Sequence, residues 1–462
     1  MSLDRRELLA GLTGLGLAAL ASPRLASSMG RTPLGGRVSL HVPWPTGALD
    51  PHDLRDPMAA LFGAAVVDPI YALDGSGAPY PTLAAGMPAR EGGETVVRLR
   101  EGLRSARLAA LDGHDLVFSV ERARARGASA QLTAVPRPLV KKEDPLRVVF
   151  GAVDPIHLAR ALSSPLVALV PRRFRPDAPD GTGAFRADVS PAGLILTRNL
   201  NAARGAAFLD AIEVAPAEDL KTSLRAFEAE RDDLGWLGMG LHDGRKGAVR
   251  FDLGRAAWVA LLAGPDAGPA STPGAAQRLV DAIPPERLAH LGLGPLPSAT
   301  GDPAWQGPPV ELLVDDASPH LVEVARAVAP VLSNPGHEVT VTPVARAEIA
   351  RRRARGKASL AVELVRPLGP GPHDAAVALA TAEDPTRGRD VAQSPARAAS
   401  LGHPTPAVLA RTLTGLLRVG VLGDVRLAGG VIPDLVLARS PGGEGWDLGA
   451  SYRRVVRSTR GP

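Results

Sequence analysis

Apolar and polar residues alternate along this chain in short segments, and most segments have the length of a single strand or a short helix. Every second residue from Val38 to Val42 is apolar, which predicts a strand over residues 37–42. Valines with charged neighbours predict a half-exposed strand over residues 95–100. Apolar residues then recur at helical spacing after Asp115, so the sequence predicts a helix with Asp115 as its N-cap.

The later portion of the chain has a strand, a helix and a strand in succession. The pattern predicts strands at residues 310–314 and 338–343, with a helix at 320–332 between them. This βαβ order predicts that the two strands are parallel neighbours. Other strands are predicted at 146–150 and 194–199, and another helix at 155–162.

The composition indicates a globular protein with more than one domain. The chain has 462 residues, of which 45% are apolar, so it is long enough for two or three domain-sized units with sizeable cores. The 50 glycines and 44 prolines are dispersed, which is typical of a turn-rich globular chain and not of a low-complexity one.

The charge pattern does not indicate a nucleic-acid-binding protein. The 53 Lys and Arg residues are interspersed with 48 Asp and Glu residues, for a formal charge of +5. No basic run is interleaved with aromatic residues that would stack on bases. The densest basic cluster, residues 351–357, is interpreted as the exposed face at a helix end.

Residue types that carry catalysis or bind metals are not arranged for either task. The sequence has no cysteine, which excludes disulfide bonds, catalysis by a thiol and lipid modification of an N-terminal cysteine. The ten histidines lack zinc spacing, and there is no Gly-x-Ser-x-Gly motif. Asp232-Asp233 and Asp315-Asp316 are adjacent pairs, whose side chains would point apart on a strand. The sequence therefore predicts no enzyme activity, no cofactor and no metal site.

The N-terminus has the features of an export signal. A charged start containing Arg5-Arg6 precedes an apolar run over residues 8–21, and small residues at 19–21 and 26–28 are candidate cleavage sites. The arginine pair resembles a twin-arginine signal. We therefore predict a signal peptide over residues 1–28 and a periplasmic or extracytoplasmic location, the alternative being an ordinary amphipathic first helix.

Several motifs occur together in the N-terminal third of the chain and again after Asp180. They are LDPH at 49–52, PTLAAGM at 81–87, VVRLREGLR at 96–104, DGHDLVFSVERAR at 112–124 and DGTGAF at 180–185. In this order and spacing they resemble the family 5 extracellular solute-binding proteins, the peptide, nickel and opine receptors of bacterial ABC importers. The spacing makes the resemblance specific, because each fragment alone is weak.

The resemblance implies an α/β, two-lobed periplasmic-binding-protein-like fold of class II with an extra small domain, in which helices flank mixed sheets. The implied domains are the first segment of lobe I at 37–73, a small domain II at 74–180, the second segment of lobe I at 181–253, lobe II at 254–429 and the C-terminal return of lobe I at 430–462. It also implies that the Gly-Thr-Gly stretch after Asp180 lies where the chain crosses back to lobe I, since glycines permit close backbone packing.

The function implied by the resemblance is that of an exported solute-binding protein of an ABC import system. Such a protein would capture a small, peptide-like solute between its lobes and deliver it, as a monomer, to a permease in the inner membrane. The aromatic residues and the Asp and Trp that the family usually carries near its cleft are not found at the matching positions. A transport-inactive homologue that acts as an envelope scaffold or sensor therefore stays open as the alternative.

The candidate ligand-binding residues follow strand ends and the implied cleft. Aromatic rings give large contact area at low entropy cost, so Trp44 and Trp236, each beside Gly or Pro at a strand end, are candidates, with core packing as the alternative. Glu363 lies near the strand that faces the cleft in the resembled family and would meet a cationic group, unless it is an exposed strand residue. The full predicted set is Trp44, Thr46, Trp236, Gly238, Met239, His242 and Glu363.

Overall fold

Strands and helices alternate along the whole structure, a computed structural model that describes residues 33–236, 245–294, 305–393 and 415–454. The strands are β1 (Arg37–Val42), β2 (Tyr71–Leu73), β3 (Pro79–Pro81), β4 (Ala89–Glu91), β5 (Glu94–Arg98), β6 (Leu139–Lys141), β7 (Asp144–Val149), β8 (Phe185–Ser190), β9 (Gly193–Arg198), β10 (Ala211–Pro216), β11 (Leu234–Trp236), β12 (Val249–Ala263), β13 (Leu293–Gly294), β14 (Val310–Asp315), β15 (Val339–Val344), β16 (Leu360–Val365), β17 (Val419–Val431), β18 (Leu435–Arg439) and β19 (Trp446–Arg453).

The helices are mostly short, and several begin with a proline that fits the first helical turn. They are α1 (Pro57–Val66), α2 (Gly113–Arg126), α3 (Pro155–Ala161), α4 (Leu220–Glu228), α5 (Ala275–Asp281), α6 (Glu286–Ala289), α7 (Pro319–Leu332), α8 (Arg346–Ala354), α9 (Pro372–Glu383) and α10 (Pro385–Ala392). Within the described ranges, none of these helices combines the length and the apolar character needed to cross a lipid bilayer.

Three sheets of four or more strands, together with the two-stranded pairs β2-β3 and β18-β19, organise these elements. The N-terminal sheet has the order β1-β10-β9-β8, the small sheet has the order β4-β5-β7-β6, and the large sheet has the order β11-β17-β12-β16-β14-β15, with β13 also paired to β17. The predicted α/β class with mixed sheets flanked by helices is confirmed. The exact domain boundaries stay a prediction.

The βαβ unit predicted in the later portion of the chain is present. β14 and β15 pair in parallel, from Val310 with Val339 to Asp315 with Val344, and α7 connects them. β16 pairs in parallel with the other edge of β14. Every residue of β16 is buried, as expected for a strand covered on both faces.

Two long antiparallel strands, β12 and β17, run through the large sheet. Near Val431, β17 pairs with both β11 and the start of β12, whereas the second half of β12 pairs with β16. The register of β12 against β17 shifts on both sides of Arg255. Gly254 lies within the first of these shifts, between Asp252 and Arg255, and has φ of +95°, a conformation that favours glycine. The strand is therefore bent where it passes Glu444, whose side chain lies against Gly254.

The predicted N-cap of α2 is wrong by three residues. Asp112 caps the helix, because its side chain accepts hydrogen bonds from the backbone N–H of His114 at 2.8 Å and of Asp115 at 3.4 Å. The Asp115 side chain accepts in turn from the Asp112 N–H at 2.9 Å. This reciprocal capping box satisfies N–H groups at the helix start, and both aspartates take part in it.

The Gly-Thr-Gly stretch crosses the C-terminal end of α1 in close contact. A Cβ atom at Gly181 or Gly183 would come within 2.6 Å or 2.5 Å of a carbonyl oxygen of α1. Thr182 between them is buried, and its hydroxyl donates to Asp68 at 2.8 Å. Only glycine permits this approach of two backbones, as the sequence predicted.

The LDPH motif forms a buried charged cluster with α2. Arg122 makes a two-point ion pair with Asp50, with distances of 2.6 Å and 2.8 Å. His52 Nε2 lies 2.8 Å from the carbonyl oxygen of Ala168, and its Nδ1 lies 3.0 Å from Arg122 Nη1. These partners fit a neutral ring that donates from Nε2 and accepts at Nδ1. Burial lowers the pKa of His52 to about 4, and the Arg122 charge acts in the same direction.

This cluster predicts a specific loss of stability in acid. Unfolded His52 takes up a proton near pH 6.5, whereas folded His52 does so only near pH 4, so the unfolded state binds more protons between these values. Relative to a neutral His52→Gln variant, we expect the wild type to lose up to about 3 kcal/mol of unfolding free energy between pH 7 and pH 4. Urea unfolding of both proteins over this range measures the difference, and parallel stability curves would contradict the assignment.

Candidate functional site

The loop after β1 holds two of the predicted ligand-binding residues, and both are buried in contacts within the protein. Trp44 is 1% exposed, and its ring centroid lies 5.0 Å from that of His320 at the start of α7. The hydroxyl of Thr46 donates to the carbonyl oxygen of Ser190 at 2.9 Å. The role of Trp44 and Thr46 in ligand binding stays a prediction.

Helix α7 contacts the loops of the N-terminal sheet at two further points. The backbone N–H of His320 donates to the carbonyl oxygen of Pro43 at 3.3 Å. Glu323 accepts from the N–H of Leu220, at the start of α4, at 3.5 Å. The α7 end of the large sheet and the loop after β1 are thus in direct contact.

Glu363 on β16 is 5% exposed and lies between two arginines. Its carboxylate pairs with Arg55 and, at 2.9 Å, with Arg353. Burial alone would raise the pKa of this group, but the two guanidinium groups outweigh burial and lower it to about 2. The cationic partner predicted for Glu363 is therefore supplied by the protein, and a direct role in ligand binding stays a prediction.

The remaining predicted site residues fall at or beyond the end of β11. The backbone of Trp236 pairs with Gly429 of β17. Gly238, Met239 and His242 lie outside the described residues. The structure consequently brings together no more than a portion of the predicted set.

A cavity of about 250 Å³ lies where segments from several sheets meet. Its walls include α1, the β2–β3 hairpin and the bent region of β12 at Arg255 and Ala256. Two loops complete it, residues 366–370 after β16 and residues 440–446 between β18 and β19. Converging loops and helices around one concave space are typical of a small-molecule site, although this volume is below the usual range of about 300–1,000 Å³.

Three arginines and one glutamate supply the charge of the cavity wall. Arg255 lies 3.3 Å from Asp424 and 3.6 Å from Glu444, with its guanidinium 4.7 Å from the centre of the Trp258 ring. Arg204 lies 3.6 Å from the buried Asp68. Arg366 is the third arginine and differs from the other two, because its side chain donates hydrogen bonds to backbone carbonyl groups.

Arg366 is fixed by the segment that contains the LDPH motif. Its Nη1 donates to the carbonyl oxygens of Pro51 at 2.9 Å and Asp53 at 2.8 Å, and its backbone N–H donates to Leu54 at 2.9 Å. The residue is 3% exposed. The LDPH segment therefore positions an arginine on the cavity wall.

Arg366 is not in the predicted set of site residues, although the sequence around it has a pattern typical of a ligand-binding position. Residues 360–365 are continuously apolar except for Glu363, and Arg366 follows directly, before the Pro-Leu-Gly-Pro-Gly loop. A charged residue at the carboxyl end of a buried strand in a parallel pair occupies the usual place for ligand contacts in α/β sheets. No comparable signal identifies Arg204 or Glu444, which reach the wall from irregular segments.

A second hollow of about 420 Å³ runs along α10, but it is a shallow groove open to solvent. Arg418 and Glu383 in its wall pair with each other at 2.8 Å. Among the described residues, no group of three or more histidine or acidic side chains is placed to hold a metal ion. We therefore take the 250 Å³ cavity as the candidate site.

The ion cluster around Glu363 gives a measurable prediction. Glu363→Gln would leave Arg55 and Arg353 without their shared buried carboxylate, so we expect a loss of about 3–5 kcal/mol in unfolding free energy. Glu228→Gln, at an exposed position on α4, serves as the control and should change it by less than about 0.5 kcal/mol. Urea unfolding at neutral pH measures both values, and equal effects would refute the structural role of Glu363.

Comparisons with known proteins show which solved structures share this architecture. No protein-family profile and no curated protein matches the chain. Solved structures do match. The pheromone receptor PrgZ, described with its mode of peptide binding, has a TM-score of 0.65 at 14% identity, over 90% of this chain and 99% of that chain. AgaA from A. tumefaciens R10, in complex with agropinic acid, has a TM-score of 0.66 at 14% identity, over 91% and 99%.

DppA from Helicobacter pylori, an ABC transporter-associated periplasmic binding protein solved with the peptide STSA, has a TM-score of 0.66 at 13% identity, over 91% of this chain and 98% of that chain. The likeness thus extends over nearly the full length of both chains in each case. At these identities it is evidence of a common fold. The chain has the fold of the family 5 extracellular solute-binding proteins.

Proposed function

We propose that this protein is an exported solute-binding protein of an ABC import system, which captures a small, peptide-like solute and delivers it to a membrane permease. The observation that carries the proposal is the cavity between α1, β12, the loop after β16 and the β18–β19 turn. Structures with this fold were solved with peptides and with agropinic acid, so a compact polar solute is the expected kind of ligand. The proposed location is extracytoplasmic, and the predicted signal, residues 1–28, lies outside the described residues.

The path of the chain around the cavity supports a receptor role. Segments from widely separated regions of the sequence, including α1, Arg204, Arg255 and residues 366–370, line one space. A solute in this space would contact α1, the β2–β3 hairpin and the large sheet simultaneously. Binding would therefore stabilise one relative position of these elements, which is the basis of closure in two-lobed receptors.

The contact of Trp44 with His320 favours a second candidate function, that of a transport-inactive scaffold or sensor. These rings fill the space beside the loop after β1, where the sequence predicted ligand contacts. A receptor would show solute binding in the 250 Å³ cavity, whereas a scaffold would bind no solute there.

A ligand screen tests the receptor proposal. We expect at least one member of a panel of dipeptides, oligopeptides, opines and nickel complexes to raise the thermal midpoint of the protein, since a ligand at about 100 times its Kd adds about 2.7 kcal/mol of stability. Small-angle scattering should show a smaller radius of gyration with the same ligand. Absence of both effects across the panel would favour the scaffold function.

A cavity-blocking variant identifies where the ligand binds. Ala64 lies on the cavity wall at an exposed position of α1, so Ala64→Trp should reduce the affinity for any solute found in the screen by about tenfold or more. Ala125→Trp, at an exposed position of α2 away from the cavity, is the matched control and should leave the affinity unchanged. Isothermal titration calorimetry measures both, and equal affinities would place the ligand elsewhere.

A further inference from the structure

We propose that Arg366 binds the carboxylate group of the solute, so that the cavity selects small organic acids with an aliphatic body. This inference rests on the proposed function and specifies the chemical class of its ligand. It is carried by the unused hydrogen-bonding capacity of a buried guanidinium group on the cavity wall.

Arg366 has donors that the protein does not use. Both Nη1 hydrogens are taken by the carbonyl oxygens of Pro51 and Asp53. Within the described ranges, Nε and Nη2 have no acceptor in the protein. Arg366 is only 3% exposed, yet it contributes to the cavity wall. The acceptor for these N–H groups must therefore be an atom that lies in the cavity.

The charge of Arg366 also lacks a directly bonded counterion in the described regions of the chain. Burial lowers the pKa of its guanidinium, and the nearest acidic groups, Asp50, Asp53 and Asp56, act on it only from a distance. Asp50 is paired with Arg122, and Asp53 lies 3.5 Å from Arg346. Burying a cation without a bonded anion costs free energy. A ligand with a negatively charged group would reduce this cost by pairing with the guanidinium.

Asp56 does not serve as that counterion either. Its carboxylate caps α1, accepting from the N–H of Ala59 at 2.9 Å and from the N–H of Asp50 at 2.7 Å. Burial, followed by the charge of Asp53, raises the pKa of Asp56 to about 6. Its bonds are thus committed to the backbone.

Small residues of α1 lie beside the guanidinium group of Arg366. Nη2 lies 3.9 Å from the position that a Cβ would take at Gly63, on a stretch of α1 that also contains Ala59 and Ala60. Because these residues are small, the guanidinium lies close to the helix, and a side chain at position 63 would contact Nη2. The Nε and Nη2 donors form one planar edge, which matches the two oxygens of a carboxylate.

An apolar portion of the cavity wall favours an apolar remainder of the ligand. Ala72, Leu73, Pro165, Pro367 and Leu427 contribute to them. With a volume of about 250 Å³, the cavity has space for a compact aliphatic acid or a very short peptide. The acidic group would lie at Arg366 and the hydrocarbon body against these residues.

Matched acid and amide pairs test the assignment on the full chain. Calorimetry would compare isovalerate with isovaleramide, and alanyl-alanine with its C-terminal amide. We expect each acid to bind about 10- to 100-fold more tightly than its amide, the ratio that a charge-assisted hydrogen bond gives. Equal affinities within each pair would overturn the proposal and leave the receptor function intact.

Two substitutions at Gly63 test the position without disturbing the Nη1 bonds of Arg366. Gly63→Asp would place a carboxylate beside Nη2 and compete with the ligand, so acid binding should fall by about tenfold or more. Gly63→Asn has the same shape without the charge and is the control. If both variants bind the acid equally well, Arg366 is not the anion site.

A third variant provides an independent test if the Gly63 variants do not fold. Arg366→Lys retains the positive charge but loses the planar edge, and should weaken acid binding by about tenfold while the affinity for the amide stays the same. An unchanged acid affinity would overturn the proposal. Binding of only neutral or cationic solutes from the wider screen would also overturn it, whereas no binding by any solute would refute the receptor function itself.

Discussion

The pairing of buried charges around residues 50–56 is the constraint on which the rest of the structure depends. This short segment carries Asp50, His52, Asp53, Arg55 and Asp56, and little of it is exposed. Each charged group has a partner from a distant region of the chain or from the backbone. Removing a charge from water costs several kcal/mol, so the segment can be buried only when α2, α8 and β16 are all in place. The segment thereby fixes the small sheet and the large sheet relative to α1.

The same segment links the interior of the protein to the candidate site. The carbonyl groups of Pro51 and Asp53 take up one nitrogen of Arg366 and so orient the guanidinium. Because the backbone carbonyls satisfy hydrogen bonds without neutralising the charge, the arginine keeps an electrostatic attraction for an anion. A structural motif and a cavity residue thus belong to one network.

The bent strand β12 gives the cavity a second link to the architecture. Arg255 lies at the register shift beside Gly254, where it contacts Asp424 of β17 and Glu444 of the β18–β19 turn. Any solute in the cavity would lie next to the point where the two long strands are least regular. Irregular pairing permits a strand to bend at a lower cost in free energy than a regular ladder does. This position is therefore suited to bending of the large sheet.

Sequence alone predicted some of the strands and helices, because local periodicity depends on near neighbours. The βαβ unit at β14, α7 and β15 and the strand β1 followed from such patterns, whereas the overall fold and the close crossing at Gly181 and Gly183 were implied by the resemblance of the spaced motifs to a known family. Only the tertiary structure decided which residues meet. It placed Trp44 against His320, Glu363 between two arginines, and Arg366 on a cavity wall, because burial and charge pairing depend on residues hundreds of positions apart.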